Sequence, residues 1–286
     1  MQKELNVFFT IDENYIQHFT VALTSLLENN KDLVINVYLI NDIADFSPFN
    51  YVLQYFQKKY QTSINLISID GALFDQYTIS RHVSKATYFR LLLADILPDH
   101  INSGLFLDSD LIVTNSLKEL ADTDLKDNYL MASHDFNLSD SIAWMNEIGF
   151  PTKKYFNAGV LLINLKKWRE DNVSDKLMDI AQKFMGKLRW WDQDVLNIFF
   201  RNKWERFDEK FNSMNLTSKL LVTPTIIHYA TGGKPWHYFN NHPYKKLYWK
   251  YIKLTPFKNA KPKDFSYTNV LRKNYRLLKK RFNIHA

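Results

Sequence analysis

Over its first 107 residues the chain alternates between strand-like and helix-like segments, and this alternation narrows the fold more than any other feature. Residues 5–11 form a β-rich run. Within residues 15–27 the apolar side chains Ile16, Phe19, Leu23, Leu26 and Leu27 follow helical spacing. Residues 34–40 are again β-rich, 49–60 helical and 63–69 a third strand. A helix over 87–97 is stopped by Pro98, and a short apolar strand over 104–107 ends at Asp108. This β-α-β-α-β order predicts a parallel sheet with right-handed crossovers and helices on its faces. Ligands on such sheets lie beyond the carboxyl ends of the strands. Asp12 follows the first strand and Asp108 the fourth, so both belong at that end.

The second half is less regular. Residues 158–165 read as a strand feeding a helix over 166–184, followed by a helix over 191–200 and a strand over 225–229. With 286 residues, 46% of them apolar, the chain has core enough for one large α/β domain, which is expected over residues 1–240. Cysteine is absent, which excludes disulfides, thiolate metal sites and cysteine nucleophiles. Residues 5–9 come too early and are too few for a signal-peptide core, and no apolar run approaches membrane-spanning length. The expectation is a cytoplasmic protein, soluble or peripheral on the inner face of the cell membrane.

Carboxylates at i and i+2 just past a buried strand can hold one divalent cation and leave positions open for phosphate oxygens. Asp108-Ser109-Asp110 has that form, but Asp-x-Asp also occurs at Asp122/Asp124 and Asp192/Asp194. Solvated turn or cap carboxylates are the ordinary alternative. The strand context selects the first. His228, closing the last strand, reads as a third ligand or as a histidine bonded to backbone. Residues 231–234, Thr-Gly-Gly-Lys, suit a loop that brings backbone N–H groups and one charge to a phosphate. Asn157-Ala158-Gly159 permits close approach of a sugar ring, or is an ordinary turn. Asp192-Gln193-Asp194, after Trp190-Trp191, reads equally as a helix cap beside core aromatics or as a carboxylate and amide gripping sugar hydroxyls.

Taken together in order, these residues resemble glycosyltransferase family 8, especially its bacterial lipooligosaccharide α-galactosyltransferases, and are distantly similar to glycogenin. The resemblance runs over about residues 6–236. It is carried by Phe9-Thr10-Ile11-Asp12-Glu13-Asn14-Tyr15, by His82 and Thr87-Tyr88-Phe89-Arg90, and by Leu107-Asp108-Ser109-Asp110 and Asp135. Residues 155–164 (YFNAGVLLIN), Asp192-Gln193-Asp194, His228-Tyr229 and Lys234-Pro235-Trp236 complete it.

The resemblance implies a GT-A nucleotide-diphospho-sugar transferase fold, a single Rossmann-like mixed sheet flanked by helices. It also implies a Mn2+ ion (Mg2+ as the alternative), a UDP-hexose donor and retention of configuration. By position, Asp108, Asp110 and His228 hold the metal, while Thr10, Ile11, Asp12 and Asn14 hold the nucleoside. Lys234 faces the diphosphate, and His82 the diphosphate or the acceptor side. Arg90, Asp108, Ser109, Asp135, Asn157, Ala158, Asp192 and Gln193 surround the donor sugar, with Asp192 and Gln193 in the catalytic positions. The family has glycine three residues after its metal histidine, where this chain has Thr231.

The net charge of +7 is unevenly spread: from Lys245 onward there are 13 Lys/Arg and one acid, Asp264, so the preceding body is mildly acidic. Residues 241–286 are therefore expected to form a basic, aromatic tail. Leu271, Tyr275, Leu278 and Phe282 share one helical face opposite a basic one, the pattern of a helix lying on an anionic membrane. A carbohydrate or glycoconjugate acceptor, a lipid-linked one included, fits such attachment, whereas a nucleic-acid partner is not expected with the charge confined to the tail. A self-glucosylating initiator and a non-catalytic sugar-nucleotide binder are the alternatives.

Overall fold

A computed structural model of the protein describes residues 2–77, 84–214, 223–230 and 232–272. Strands β1 (Lys3–Ile11), β2 (Leu33–Asn41), β3 (Ile64–Ser68) and β4 (Ser103–Leu107) are joined by helices α1 (Ile16–Asn29), α2 (Asn50–Tyr60) and α3 (Leu93–Ile96). β5 (Leu111–Val113), α4 (Lys118–Ala121), β6 (Leu130–His134), α5 (Leu138–Glu147) and β7 (Phe156–Asn164) follow. The chain continues through α6 (Leu165–Glu170), α7 (Val173–Lys183), α8 (Trp191–Phe200), β8 (Trp204–Arg206), β9 (Ile226–His228) and α9 (Lys245–Ile252). The main sheet has the order β3-β2-β1-β4-β7-β6-β8, and β5 pairs with β9 in a separate ribbon. β1 to β4 are mutually parallel, as the alternation predicts, while β7 is antiparallel to both β4 and β6.

Side chains alternate across the sheet with the two-residue period of a strand. Phe8, Phe106, Leu161 and Ile163 enter one core with Trp168 and Leu196. Val7, Phe9, Leu105, Leu107, Val160 and Leu162 enter the other with Phe19, Leu23 and Phe56. Helices on both faces therefore bury the central strands, which is why these read as nearly continuous apolar runs, while the edge strand β3 stays partly exposed. From β1 the chain moves outward to β2 and β3, then returns to β4 on the other side. The crevice between the carboxyl ends of β1 and β4 is thus the topological switch point, where such sheets bind ligands.

Two helices differ from expectation. Residues 85–92 form a 3₁₀ segment, Lys85–Leu92, continued by the single turn of α3. Here Nε of Arg90 takes the carbonyl of Thr87 (3.1 Å), which an α-helix needs for its own ladder. The expected helix over 166–184 is broken into α6 and α7, with Asn172 in the left-handed region (φ 47°), a conformation asparagine tolerates.

Residues 244–257 do not stand apart from the body. Tyr248, Tyr251 and Ile252 on α9 are buried against α1. The Tyr251 hydroxyl accepts from Asn29 (2.7 Å) and that of Tyr248 from Gln17 (3.0 Å). Tyr55 on α2 donates to the carbonyl of Leu254 (2.6 Å). Aromatics expected on a membrane-facing tail thus complete the core through residue 257. Tyr267 and Leu271 are exposed at 85% and 69%. Most of the expected amphipathic helix, including Tyr275, Leu278 and Phe282, lies outside the described residues. Among the described residues no helix is long and apolar enough to cross a membrane.

Candidate functional site

A cavity of about 380 Å³ opens at the switch point. One wall comes from β1 and the turn after it. Thr10, Ile11 and Asp12 line it with Tyr15, and Asp12 caps the turn by accepting from the backbone N–H of Tyr15 (3.2 Å). Asn14 lies outside this cavity, in an adjoining groove with Asp12, Asp42 and Asp45.

The floor is the end of β4. The backbone N–H of Asp108 donates to the carbonyl of Gly159 (2.8 Å), holding the turn onto β7. The chain then bends into β5, whose Leu111 pairs with His228 of β9, and Tyr229 N–H donates to the Asp110 carbonyl (2.9 Å). That ribbon carries His228 to the acidic pair. Its Nε2 lies 3.2 Å from Oδ1 of Asp110 and 3.7 Å from Oδ2 of Asp108. One ligand atom from each of the three falls within 4.8 Å of the others. Asp110 Oδ1 is buried without a hydrogen-bond donor among the described residues. Two oxygens and a nitrogen with such an orphaned oxygen fit a divalent cation. Lys234 donates to Oδ2 of Asp110 and to the carbonyl of Tyr229 (2.7 Å). Burial opposes ionisation of Asp110, but the Lys234 ammonium and His228 together outweigh it and hold the carboxyl well below the usual carboxylate range.

Arg90 spans the opposite wall. It is 5% exposed, stacks on Phe106 (4.4 Å), and donates to Ala158 O (2.6 Å). It also pairs with Asp108 (2.8 Å) and Asp192 (3.0 Å), tying the metal arm to the start of α8. Burial pushes the carboxyl of Asp192 up to about 6, against the pull of Arg90 and the Thr87 hydroxyl. Gln193 accepts from the backbone N–H of Ala158 (3.0 Å) and donates to Asp135 Oδ2 (3.3 Å). Asn157 and Ser109 also line the cavity.

The three acidic triplets therefore differ by location. Asp122 is exposed beside Lys3 (3.4 Å), and Asp124 accepts from Lys126 N–H (2.9 Å) in a turn. Asp194 accepts from the N–H groups of Arg189 (2.7 Å) and Trp190 (2.8 Å), from Trp144 (3.1 Å) and from Tyr155 (2.6 Å). Asp194 is thus a structural cap, while Asp192 and Gln193 face the cavity, so the two readings of that triplet divide between its residues. The small residue at 159 makes room for His228 and Asp108, since a Cβ there meets them at 2.2 Å and 2.7 Å. His82 and Thr231 lie outside the described residues. Tyr15 and Thr87, given no role of their own, line the cavity, as does Trp190 of the Trp190-Trp191 pair; Asn212, which carries no spacing signal, lies behind His228 against its Nδ1.

The family model of glycosyl transferase family 8 matches residues 6–240. The chain belongs to that family. It is 30% identical over 278 residues to a lipopolysaccharide 1,2-glucosyltransferase of Escherichia coli, covering 90% of this chain and 80% of that protein. A lipopolysaccharide 1,3-galactosyltransferase of Salmonella typhimurium (strain LT2) is 28% identical over 268 residues, covering 86% and 77%. Among solved structures, the galactosyltransferase LgtC in complex with donor and acceptor sugar analogs superposes with a TM-score of 0.79 at 26% identity. That match covers 88% of this chain and 96% of LgtC. The protein is thus a glycosyltransferase of the GT-A fold.

Proposed function

We propose that this transferase moves a hexose, galactose or glucose, from a UDP donor to a glycan or glycoconjugate acceptor, with Mn2+ and with retention of configuration. The observation that carries the reading is the meeting of Asp108, Asp110 and His228 with Lys234 at one end of a cavity whose other end holds Asp192 and Gln193. Asp108, Asp110 and His228 hold the cation, which when bound neutralises charge on the departing diphosphate. Lys234, released from Asp110, adds its ammonium to the same diphosphate. Asp12 and Tyr15 bound the nucleoside side, and Arg90, Asp135 and Asn157 the sugar side.

Retention by double displacement needs a free carboxylate beside the anomeric carbon. The cavity offers poor candidates. Asp192 is 3% exposed, with one oxygen taken by Thr87 and the other by Arg90. Asp135 accepts from Asn137 N–H (2.9 Å) with one oxygen and from Gln193 (3.3 Å) with the other. This supports a same-face substitution: the bond from C1 to the phosphate oxygen breaks, the acceptor oxygen bonds C1 on that face, and its proton passes to the departing phosphate oxygen. Asp192 supports the cationic sugar electrostatically and Gln193 orients it.

The test is transfer or hydrolysis of UDP-galactose and UDP-glucose by the purified protein, with and without Mn2+, and NMR of the product anomer. Retained configuration, loss of turnover after chelation and loss in Asp110→Asn support the reading. Full activity of Asp110→Asn without manganese refutes the metal assignment. Several per cent of activity in Asp192→Asn excludes an obligatory covalent role. The reading extends to a lipid-linked acceptor at the inner membrane face, reached through the basic segment where Tyr267 and Leu271 stand exposed. Co-sedimentation with anionic liposomes checks that extension, and no binding at low salt rejects it.

A further inference from the structure

A histidine has two ring nitrogens, and only the one without a proton can face a cation. In His228 the choice follows from backbone donors. The N–H of Gly159 donates to Oδ1 of Asn157 (3.0 Å), so the oxygen of that amide is identified. The Asn212 side chain reaches the same oxygen at 3.0 Å and must donate to it through Nδ2. This turns the Asn212 oxygen toward Nδ1 of His228, at 2.9 Å. Facing an acceptor, Nδ1 carries the proton. Nε2 is then the nitrogen presented to the oxygens of Asp110 and Asp108, at 3.2 Å and 3.7 Å. With Nδ1 engaged by Asn212, Nε2 is the nitrogen that can share a cation with those oxygens.

Asn212 has little freedom. It is 2% exposed and follows a 3₁₀ turn, Glu209–Phe211, capped by Asp208. Ser213 N–H donates to Ile226 O (2.9 Å) and His228 N–H to Ser213 O (3.0 Å), fastening the segment to β9. On the far side, Asn157 Nδ2 donates to the Gln193 oxygen (3.1 Å), which is identified in turn by the N–H of Ala158 (3.0 Å). One hydrogen-bonded ladder thus runs from His228 through Asn212 and Asn157 to Gln193.

We propose that Asn212 is a positioning residue: it locks His228 in the Nδ1–H form with Nε2 presented to the metal, and through Asn157 it ties that ligand to Gln193. The proposal rests on the metal reading of the site given above. A buried asparagine serving packing alone sets no tautomer, and that difference is measurable.

In metal-free full-length protein, long-range 1H–15N correlation spectra identify His228 by the signals missing from His228→Ala. A proton on Nδ1 is expected; an Nε2–H ring with a bare Nδ1 overturns the proposal. Electron paramagnetic resonance of free Mn2+, with UDP present, then gives the affinity of each variant. Asn212→Leu, folded by circular dichroism, is expected to bind about 10–100-fold more weakly. Asn212→Asp keeps an acceptor for Nδ1–H and is expected to recover most of that loss. Equal affinity in wild type and Asn212→Leu refutes the role of Asn212 alone. A wild type that takes up no Mn2+ refutes the metal reading, and this proposal with it. If Asn212→Leu does not fold, the wild-type tautomer and the Asp variant still decide.

Discussion

Gly159→Ala places a Cβ 2.2 Å from Cε1 and 2.9 Å from Nδ1 of His228, and 2.7 Å from Oδ2 of Asp108. Ordinary contact begins near 3.4 Å, so the imidazole must retreat by more than an ångström. The strand cannot retreat instead: β7 is hydrogen-bonded to β4 and β6, and the Gly159 carbonyl holds Asp108 N–H at 2.8 Å. Nor can the ring move freely, because Asn212 grips Nδ1 at 2.9 Å. Glycine to alanine in a strand ordinarily gains about 0.5–1 kcal/mol. Here overpacking costs about 1–3 kcal/mol and a broken buried hydrogen bond about 1 kcal/mol more. The net loss of about 1–3 kcal/mol lowers the Tm by roughly 2–5 °C in a chain of this size. Displacement of a metal ligand by this distance should weaken Mn2+ binding at least tenfold, at the lower end of the ~10–100-fold expected for disturbed ligand supports. Calorimetry and Mn2+ paramagnetic resonance in the presence of UDP measure the two effects. Gly232→Ala, whose Cβ meets nothing within 4 Å, is the control for stability. A Gly159→Ala protein with wild-type Tm and wild-type Mn2+ affinity refutes the packing of His228 and Asp108 against β7.

Lys234→Met removes the ammonium bonded to Asp110. A buried charge-assisted bond of about 1.5–3 kcal/mol corresponds to roughly 10–100-fold, so Mn2+ without nucleotide should bind that much more tightly, and unchanged or weaker binding in a titration contradicts this. Asp192, with its carboxyl pushed up to about 6 by burial, keeps its proton in the fold after the unfolded chain has lost it near 3.8. Its contribution to stability is full below the unfolded value and declines by about 3 kcal/mol as pH rises from there through about 6. If the ionised form serves catalysis, kcat falls as pH drops through about 6, and Asp192→Asn lacks that limb; an identical acid limb in the variant assigns it elsewhere. A chain ending at residue 264 should fold and bind UDP, whereas one ending at 241 loses the burial of Tyr248, Tyr251 and Ile252, worth about 1.5–3 kcal/mol each. Equal melting temperatures for the two would show that α9 is dispensable to the body.

Local periodicity made half of the fold legible. Val7, Phe8 and Phe9, and the helical spacing from Ile16 to Leu27, are near-neighbour patterns, and they sufficed for the parallel strands β1 to β4 and for Asp12 and Asp108 at their ends. The antiparallel return of β7, and the break of the expected helix at Asn172, carry no comparable local pattern. The site depends still more on distant pairing. Leu111 meets His228 across the ribbon, and this alone brings the histidine to Asp110. The same long-range packing made Asp194 a cap while its neighbours face the cavity, absorbed the aromatics of α9 into the body, and set Asn212 behind His228. Residue types and their order determined which groups the chain possesses and the family to which it belongs. Which oxygen, nitrogen or Cβ meets which depends on contacts between residues from about fifteen to more than a hundred positions apart, and only the packed tertiary structure decides those.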